Sequence, residues 1–413
     1  MNRSVGRMRS TVWRWGNSGS TPLQSASSEL SKKPAAVPGL TRVDGKIQSL
    51  SNGLDHSAVV FDGRLLTFGS NKYSQLGRNV HDTNGDSVAK EAEASTSSPV
   101  VSVSCGGWHS VNLHENGSVS SFGWGGSFFS GAGGLGLGSK HHAVSPTMLD
   151  IPERVVQVAC GNQHTLFLTE SGKLFATGHG AYGILGTGDT SDELLPVNLS
   201  SSLEASLEAN EKIIKIACGA SFSSFITDAG NIYVWGRNDS GQLGLGEESQ
   251  GDMHSAERYP RRISFFETER TFIKDVACGE NNVVALAQNG AIYYWGDRTW
   301  LEPHVVSLPE ANGGLKGVVK IAAGTKSCFA LTESGVLYTW GAKSKCLVLD
   351  DIKGSIVTPR PIQPAVFGFQ KVIDIAAGRQ RCLAATSDNE FIATSPEEAE
   401  YVKKMSIQES QKN

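Results

Sequence analysis

Apolar and polar positions alternate along this chain in short bursts that recur about every 50 residues. Val156-Gln157-Val158-Ala159 and Val319-Lys320-Ile321-Ala322 are typical, and a period of two is that of a strand with one face toward a core. Seven bursts begin near Ile47, Val101, Val155, Ile213, Ile273, Val318 and Val372, at intervals of 54, 54, 58, 60, 45 and 54 residues. A glycine corner follows each, Cys-Gly or Ala-Gly in most, where the backbone can turn or admit another segment closely. A second apolar run comes next, such as Thr165–Thr169 or Val284–Ala287. It ends in a glycine-bearing hairpin turn (Glu170-Ser171-Gly172-Lys173, Gln288-Asn289-Gly290-Ala291). A third run stops at an aromatic-Gly pair: Phe68-Gly69, Phe122-Gly123, Trp235-Gly236, Trp295-Gly296 or Trp340-Gly341. A Gly-Gln-Leu-Gly-like return then closes the unit, as at 74–77, 183–186 and 241–244.

Self-similarity at a fixed period means that one supersecondary unit is being stacked. Four short strands per unit, seven units and no strong amphipathic helix in the period predict an all-β protein, a seven-bladed β-propeller. The ends agree with a closed ring. The last unit, Val372 to Ile392, has two strands but no aromatic-Gly strand and no return, while the N-terminus supplies the missing half as Val12-Trp13-Arg14-Trp15-Gly16-Asn17. The N-terminal strand is therefore expected to join the C-terminal blade, which hides edges that an open array would expose. The expected organisation is a basic flexible segment over 1–11, the propeller over 12–394 and a polar tail over 395–413. Polar insertions fall at 81–98, 128–140, 201–212 and 247–262, the third with a weakly helical Leu-Glu-Ala pattern. Long loops on a rigid scaffold are where binding usually resides.

Composition narrows the function more than it names it. A net charge of −4 argues against a broad electrostatic grip on nucleic acid. No apolar run approaches the roughly 20 residues of a membrane span. The seven cysteines, Cys105, Cys160, Cys218, Cys278, Cys328, Cys346 and Cys382, lie too far apart in sequence for a zinc pattern and read as small buried hydrophobes. Gly178-His179-Gly180-Ala181-Tyr182-Gly183 spells a dinucleotide-binding phrase, but no strand–helix unit surrounds it, and it reads as the third unit's turn. No phosphate-cradling G-x-x-x-x-G-K-[ST] loop and no G-x-S-x-G elbow occurs. His56, His109 and His164 recur at one place in three successive units, where side-chain hydrogen bonds between strands are expected rather than a metal shell. No catalytic residue, cofactor or metal site is expected. Arg3, Arg7 and Arg9 without an acid in the first ten residues suit either a mitochondrial presequence or a basic arm of a cytoplasmic or nuclear protein.

Cys160-Gly161-Asn162-Gln163-His164-Thr165, the Gly-x-aliphatic-aromatic hairpins and the Trp-Gly-x-Asn-x-x-Gly-Gln-Leu-Gly return resemble the regulator of chromosome condensation repeat family over roughly residues 12 to 394. The resemblance implies a seven-bladed ring whose functions diverge widely: a nuclear exchange factor for a small GTPase, light receptors, ubiquitin-ligase modules and mitochondrial assembly factors. It places partner contacts at the mouth of the ring, just before the histidine position. The residues expected there are Asp55, Trp108, Gln163, Phe222, Asn282, Ser327 and Arg381. Gln163 and Asn282 fall where the exchange factor is associated with an acidic residue and a histidine, and neither amide carries charge. Of the light receptor's Gly-Trp-Arg-His-Thr phrase only Gly107-Trp108-His109-Ser110 is present, without the arginine. The expected function is a non-enzymatic, monomeric scaffold that binds a protein partner through its faces and inter-blade loops. The alternative is guanine-nucleotide exchange on a small GTPase.

Overall fold

In the repeat, one strand carries a run of apolar residues while its neighbours alternate, and the folded ring gives the reason. Each second strand of a unit is flanked by strands on both edges and by blades on both faces, so all six residues of His56–Phe61, His164–Thr169 and Phe222–Thr227 are buried. The computed structural model describes residues 9–16, 33–78, 86–94, 96–204, 206–208, 211–246, 256–306, 317–342, 344–348 and 355–390. Seven antiparallel sheets, the blades, are arranged as a β-propeller. Blade 3 shows the common order: Val155–Cys160 lines the axis, followed outward by His164–Thr169, Leu174–Gly178 and Glu193–Asn198.

Blade 7 is shared between the two ends of the chain. Gln370–Ala377 and Arg381–Glu390 supply its inner half, and Arg9–Gly16 pairs antiparallel with the latter from Ser10↔Ser387 to Gly16↔Arg381. Short pieces at Ala35–Ala36 and Val43–Asp44 cover the outer edge of the N-terminal strand. The closing strand is held by packing as well as by the ladder. Trp15 is 4% exposed and lies edge-on to Phe329 and Phe367. The expected terminal segments, apart from Arg9–Thr11, fall outside the described residues.

Two of the expected insertions contain blade strands. Asp86–Glu91 is the outermost strand of blade 1, and Ala256–Arg262 that of blade 4. Both read as polar loops because an outermost strand is paired along one edge and faces water, so it needs no apolar alternation. Within the third insertion Ser200–Glu204 forms a short helix. The second carries a two-stranded hairpin, Gly126–Ser127 with Gly131–Ala132.

The glycine corners form a continuous ring around one end of the axis. A Cβ on Gly161 would lie 2.6 Å from the carbonyl oxygen of Gly219 in the next blade, and one on Gly279 only 2.3 Å from that of Gly324. Blades meet backbone to backbone here, with Gly107 N donating to Asn162 O at 3.0 Å and Asn162 N to Ala220 O at 3.1 Å. That contact, rather than unusual torsion, is why the corner is glycine. Because strands alternate in direction, the corners and the return loops share one end of the ring, the corner face, and the Gly172-type hairpins occupy the other.

Candidate functional site: blade seams and the corner face

Each blade grips the next with the same few side chains. The histidines bond across the seams, His56 Nε2 to Ser110 Oγ at 2.8 Å, His109 to Thr165 Oγ1 at 3.0 Å and His164 to Ser223 Oγ at 3.0 Å. Burial drives their pKa values down, to about 3 for His56, 4 for His109 and 3 for His164, so all three are neutral at physiological pH. They are structural ties, as the sequence suggested, and no group of three or more potential metal ligands occurs among the described residues.

The aromatic-Gly tip makes the second grip, on the return loop of the preceding blade. Trp235 Nε1 donates to Ile184 O at 2.9 Å, Trp295 Nε1 to Gln242 O at 3.0 Å and Trp15 Nε1 to Cys346 O at 2.7 Å. In the returns of blades 3 and 4 the last glycine lies under the ring: a Cβ on Gly186 would sit 2.9 Å from Trp235 Nε1, and on Gly244 2.7 Å from Trp295 Nε1. The repeat phrase is thus largely an account of blade-to-blade contact.

The candidate partner residues separate into two rows. Strand register pairs His56, His109 and His164 with Gly69, Gly123 and Gly178, and in the same position pairs Phe222 with Gly236, Asn282 with Gly296 and Arg381 with Gly16. Phe222 at 0% exposure, Asn282 at 1% and Ser327 at 1% therefore occupy the seam, not the mouth. Arg381 bridges blades 7 and 1 by donating to Asp55 O at 2.8 Å. Asp55, Trp108 and Gln163 do reach the corner face, and register places Ser221, Asn281, Lys326 and Gln380 beside them. The offset is one residue, set by counting from the cysteine: Cys160-Gly-x-x-His164 corresponds to Cys218-Gly-x-x-Phe222. A one-residue slip turns a side chain from one environment to the other.

The axis encloses a channel of about 350 Å³ lined by the seven inner strands. Cys105, Cys160, Cys218 and Cys278 belong to its wall. Their thiols are held up by burial, Cys105 to about 11 and Cys160 and Cys278 to about 12, so none is a ready nucleophile. Lys215–Asp275 and Lys320–Asp374 pair across neighbouring inner strands. At the corner-face mouth Arg379 of blade 7 reaches Glu280 of blade 5 at 3.4 Å.

The corner face is most aromatic over blades 1 to 3. Tyr73, Trp108 and Trp124 stack edge to face, with centroids 5.8 Å and 5.5 Å apart, and His142 lies against Tyr73 at 5.7 Å. From Trp124 the chain enters the 126–132 hairpin, whose tip presents Phe128 and Phe129 at 91% and 94% exposure. Its base is fixed by Asp192 of blade 3, which accepts from Ala132 N at 2.8 Å, Gly180 N at 3.1 Å and His179 Nδ1 at 2.7 Å. The backbone amide bonds and His179 hold the Asp192 carboxyl below its usual range despite the opposing effect of burial. The sequence showed the two phenylalanines as part of a glycine-rich insertion, but nothing local announced the Asp192 anchor 60 residues away.

Fold and seams define a closed propeller whose described residues contain no convergent catalytic constellation. The chain belongs to the regulator of chromosome condensation repeat family: residues 133–396 match the RCC1-like domain, and residues 62–113 the regulator of chromosome condensation (RCC1) repeat. It is 28% identical to the ultraviolet-B receptor UVR8 of Arabidopsis thaliana over 291 residues, which is 70% of this chain and 60% of that protein. It is 32% identical to the mitochondrial RCC1 domain-containing protein RUG3 of Arabidopsis thaliana over 208 residues, 49% of this chain and 44% of that protein. The matched region thus spans less than two thirds of either relative. Among solved structures, Prp20p of Saccharomyces cerevisiae superposes with a TM-score of 0.80 at 20% identity, covering 98% of this chain and 96% of that one, a likeness of fold.

Proposed function

We propose that the chain is a protein-interaction module, without catalytic activity of its own, that binds its partner on the corner face over blades 1 to 3. The observation that carries this reading is the Phe128–Phe129 tip. Two adjacent aromatic rings stand almost wholly in water on a hairpin whose base is fixed to a neighbouring blade. Exposed aromatic surface is costly in water and energetically dominant in interfaces. A pinned tip also loses little conformational freedom on binding. Trp108, Tyr73 and Gln163 flank it on the same face and supply the polar and aromatic rim. Photo-crosslinking from a phenylalanine analogue at position 128, with mass spectrometry of the adducts, tests it. Adducts should form with a defined protein and be lost on Trp108→Ala; diffuse labelling unaffected by Trp108→Ala would refute the reading.

A second reading, guanine-nucleotide exchange on a small GTPase, draws support from the fold shared with Prp20p, whose structure was reported together with its binding to Gsp1p and histones. Against the same set of contacts stands the uncharged amide of Asn281, which register, rather than the buried Asn282, puts at the blade-5 mouth position. Accelerated nucleotide release from a GTPase panel, abolished by Gln163→Ala, would favour exchange over simple docking.

A further inference from the structure

The grip between tip indole and return loop is missing at one seam. Blade 5 has no Gly-Gln-Leu-Gly return: after Gly296 only Asp297, Arg298 and Thr299 intervene before the outer strand Trp300–Val305. Trp340 of blade 6 is the tip that such a return would meet. Its place in the register, opposite Cys328, is that of Trp235 opposite Ser223 and Trp295 opposite Val283, both of which donate to a return-loop carbonyl. Trp340 is 3% exposed, yet its Nε1 has no hydrogen-bond partner. Asn282 Oδ1 and Thr325 Oγ1, at the corner-face end of the same seam, also have none. The Asn282 amide nitrogen is engaged, donating to Asp297 Oδ2 at 2.9 Å and to Thr325 O at 3.3 Å. Tyr294 packs into the cluster that holds Cys328 and Trp340 and hydrogen-bonds Asp297 Oδ2 at 3.1 Å, covering the seam from blade 5 without bonding the indole. Burial raises the Tyr294 phenol, which stays a neutral donor.

A buried donor without a partner forfeits its hydration and gains nothing in return, and native structures rarely leave one without a reason. From these positions we infer that the seam between blades 5 and 6 is a docking site for a turn-forming segment of a protein partner, which takes the place of the absent return. The occupant's chemistry follows from the intact seams. The acceptor that meets the tip indole is a main-chain carbonyl at each of the other three tryptophan tips. At two of these three tips the residue passing the ring is glycine, since a Cβ at Gly186 or Gly244 would come within 3 Å of the indole nitrogen, and at the third Val348 holds the corresponding place with φ 56°. Asn282 Oδ1 and Thr325 Oγ1 then accept from the segment's N–H or hydroxyl groups. This deepens the protein-binding reading with a second contact, and its test uses the purified chain alone, so either can fail without the other.

The test is titration with a synthetic peptide copying the blade-4 return, residues 237–246, watched through the indole N–H resonances of the 15N-labelled chain. Trp340→Phe identifies the Trp340 signal. With millimolar peptide that signal should move downfield and its solvent exchange should slow at least tenfold. A scrambled peptide with alanine for glycine should leave it unchanged. Replacing 297–299 by the same ten residues should raise the melting temperature and abolish the response to free peptide. A Trp340 signal indifferent to millimolar peptide, or equally responsive to the scrambled one, overturns the proposal; should the graft not fold, the titration of the native chain decides.

Discussion

The seams between blades 3 and 4 and between blades 5 and 6 are built on one plan and completed differently. In the first, His164 bonds Ser223, Ser223 donates to Ile184 O at 2.9 Å, and Trp235 donates to the same carbonyl. In the second, asparagine replaces histidine, cysteine replaces serine, the return is gone and the indole is unpaired. Register is identical in both, so the blades do not need every tie to stack. What the return adds is an acceptor for the tip indole; His164 Nδ1 in the first seam is itself without a partner. Repetition fixes the ring, and a lapse in repetition marks a surface.

The harshest break is at the seam where the chain ends meet. Removing residues 1–16 deletes a ladder of seven pairs together with the Trp13 and Trp15 packing. The expected outcome is loss of a single cooperative melt by circular dichroism, with blade 7 exposed to protease. A melt within a few degrees of the full chain would refute closure by the N-terminal strand.

A finer break compares equal substitutions at unequal seams. Trp295→Phe leaves the Gln242 carbonyl without its indole donor and should cost about 1–3 kcal/mol beyond the lost ring volume. Trp340→Phe removes a donor that has no partner, so it should cost at least about 1 kcal/mol less. Urea unfolding of the two variants measures the difference, and equal losses would mean that the return-loop carbonyl contributes nothing.

Acid distinguishes the histidine seams from the others. His56, His109 and His164 are neutral in the fold, with pKa values near 3, 4 and 3, whereas an unfolded imidazole titrates near 6.5. The unfolded chain therefore binds protons first as pH falls. The stability these residues contribute is fully present above pH ~6.5 and declines below it, by up to ~1.4 kcal/mol per pH unit for each histidine, until the folded-state values are reached. Melting temperature should fall between pH 6.5 and 4, and His164→Asn should flatten that slope; an unchanged slope would show that His164 is not held neutral. The smallest effect belongs to the hairpin tip. Phe129→Ser, with the crosslinking analogue kept at position 128, should shift unfolding by no more than about 0.5 kcal/mol while removing partner adducts, because neither ring packs on the core.

Sequence made the scaffold legible because buried strands and close backbone approach leave periodic marks. The three inner strands of each unit, the glycine corners and the split blade all stand in the residue pattern. Outermost strands such as Asp86–Glu91 and Ala256–Arg262 left no such mark, since solvent on their outer side imposes no alternation. The corner-face row was legible only for Asp55, Trp108 and Gln163. Past blade 3 the histidine that anchors the count is replaced by Phe222, Asn282, Ser327 and Arg381, and the side chains alone do not show which is the seam residue. Register does. The bare indole of Trp340 is invisible in sequence for a related reason: its Trp-Gly copy is intact, and the defect lies in the preceding unit's missing loop, at 297–299.

Return-loop carbonyls accept from the tip indoles at three tryptophan seams, and the indole between blades 5 and 6 has no acceptor. Hydrogen exchange of the individual indole N–H groups tests this contrast most directly, since Trp15, Trp235, Trp295 and Trp340 are all nearly buried and differ in having or lacking an acceptor. Trp340 should exchange at least tenfold faster than the other three in the free protein. Equal protection of all four would contradict the account.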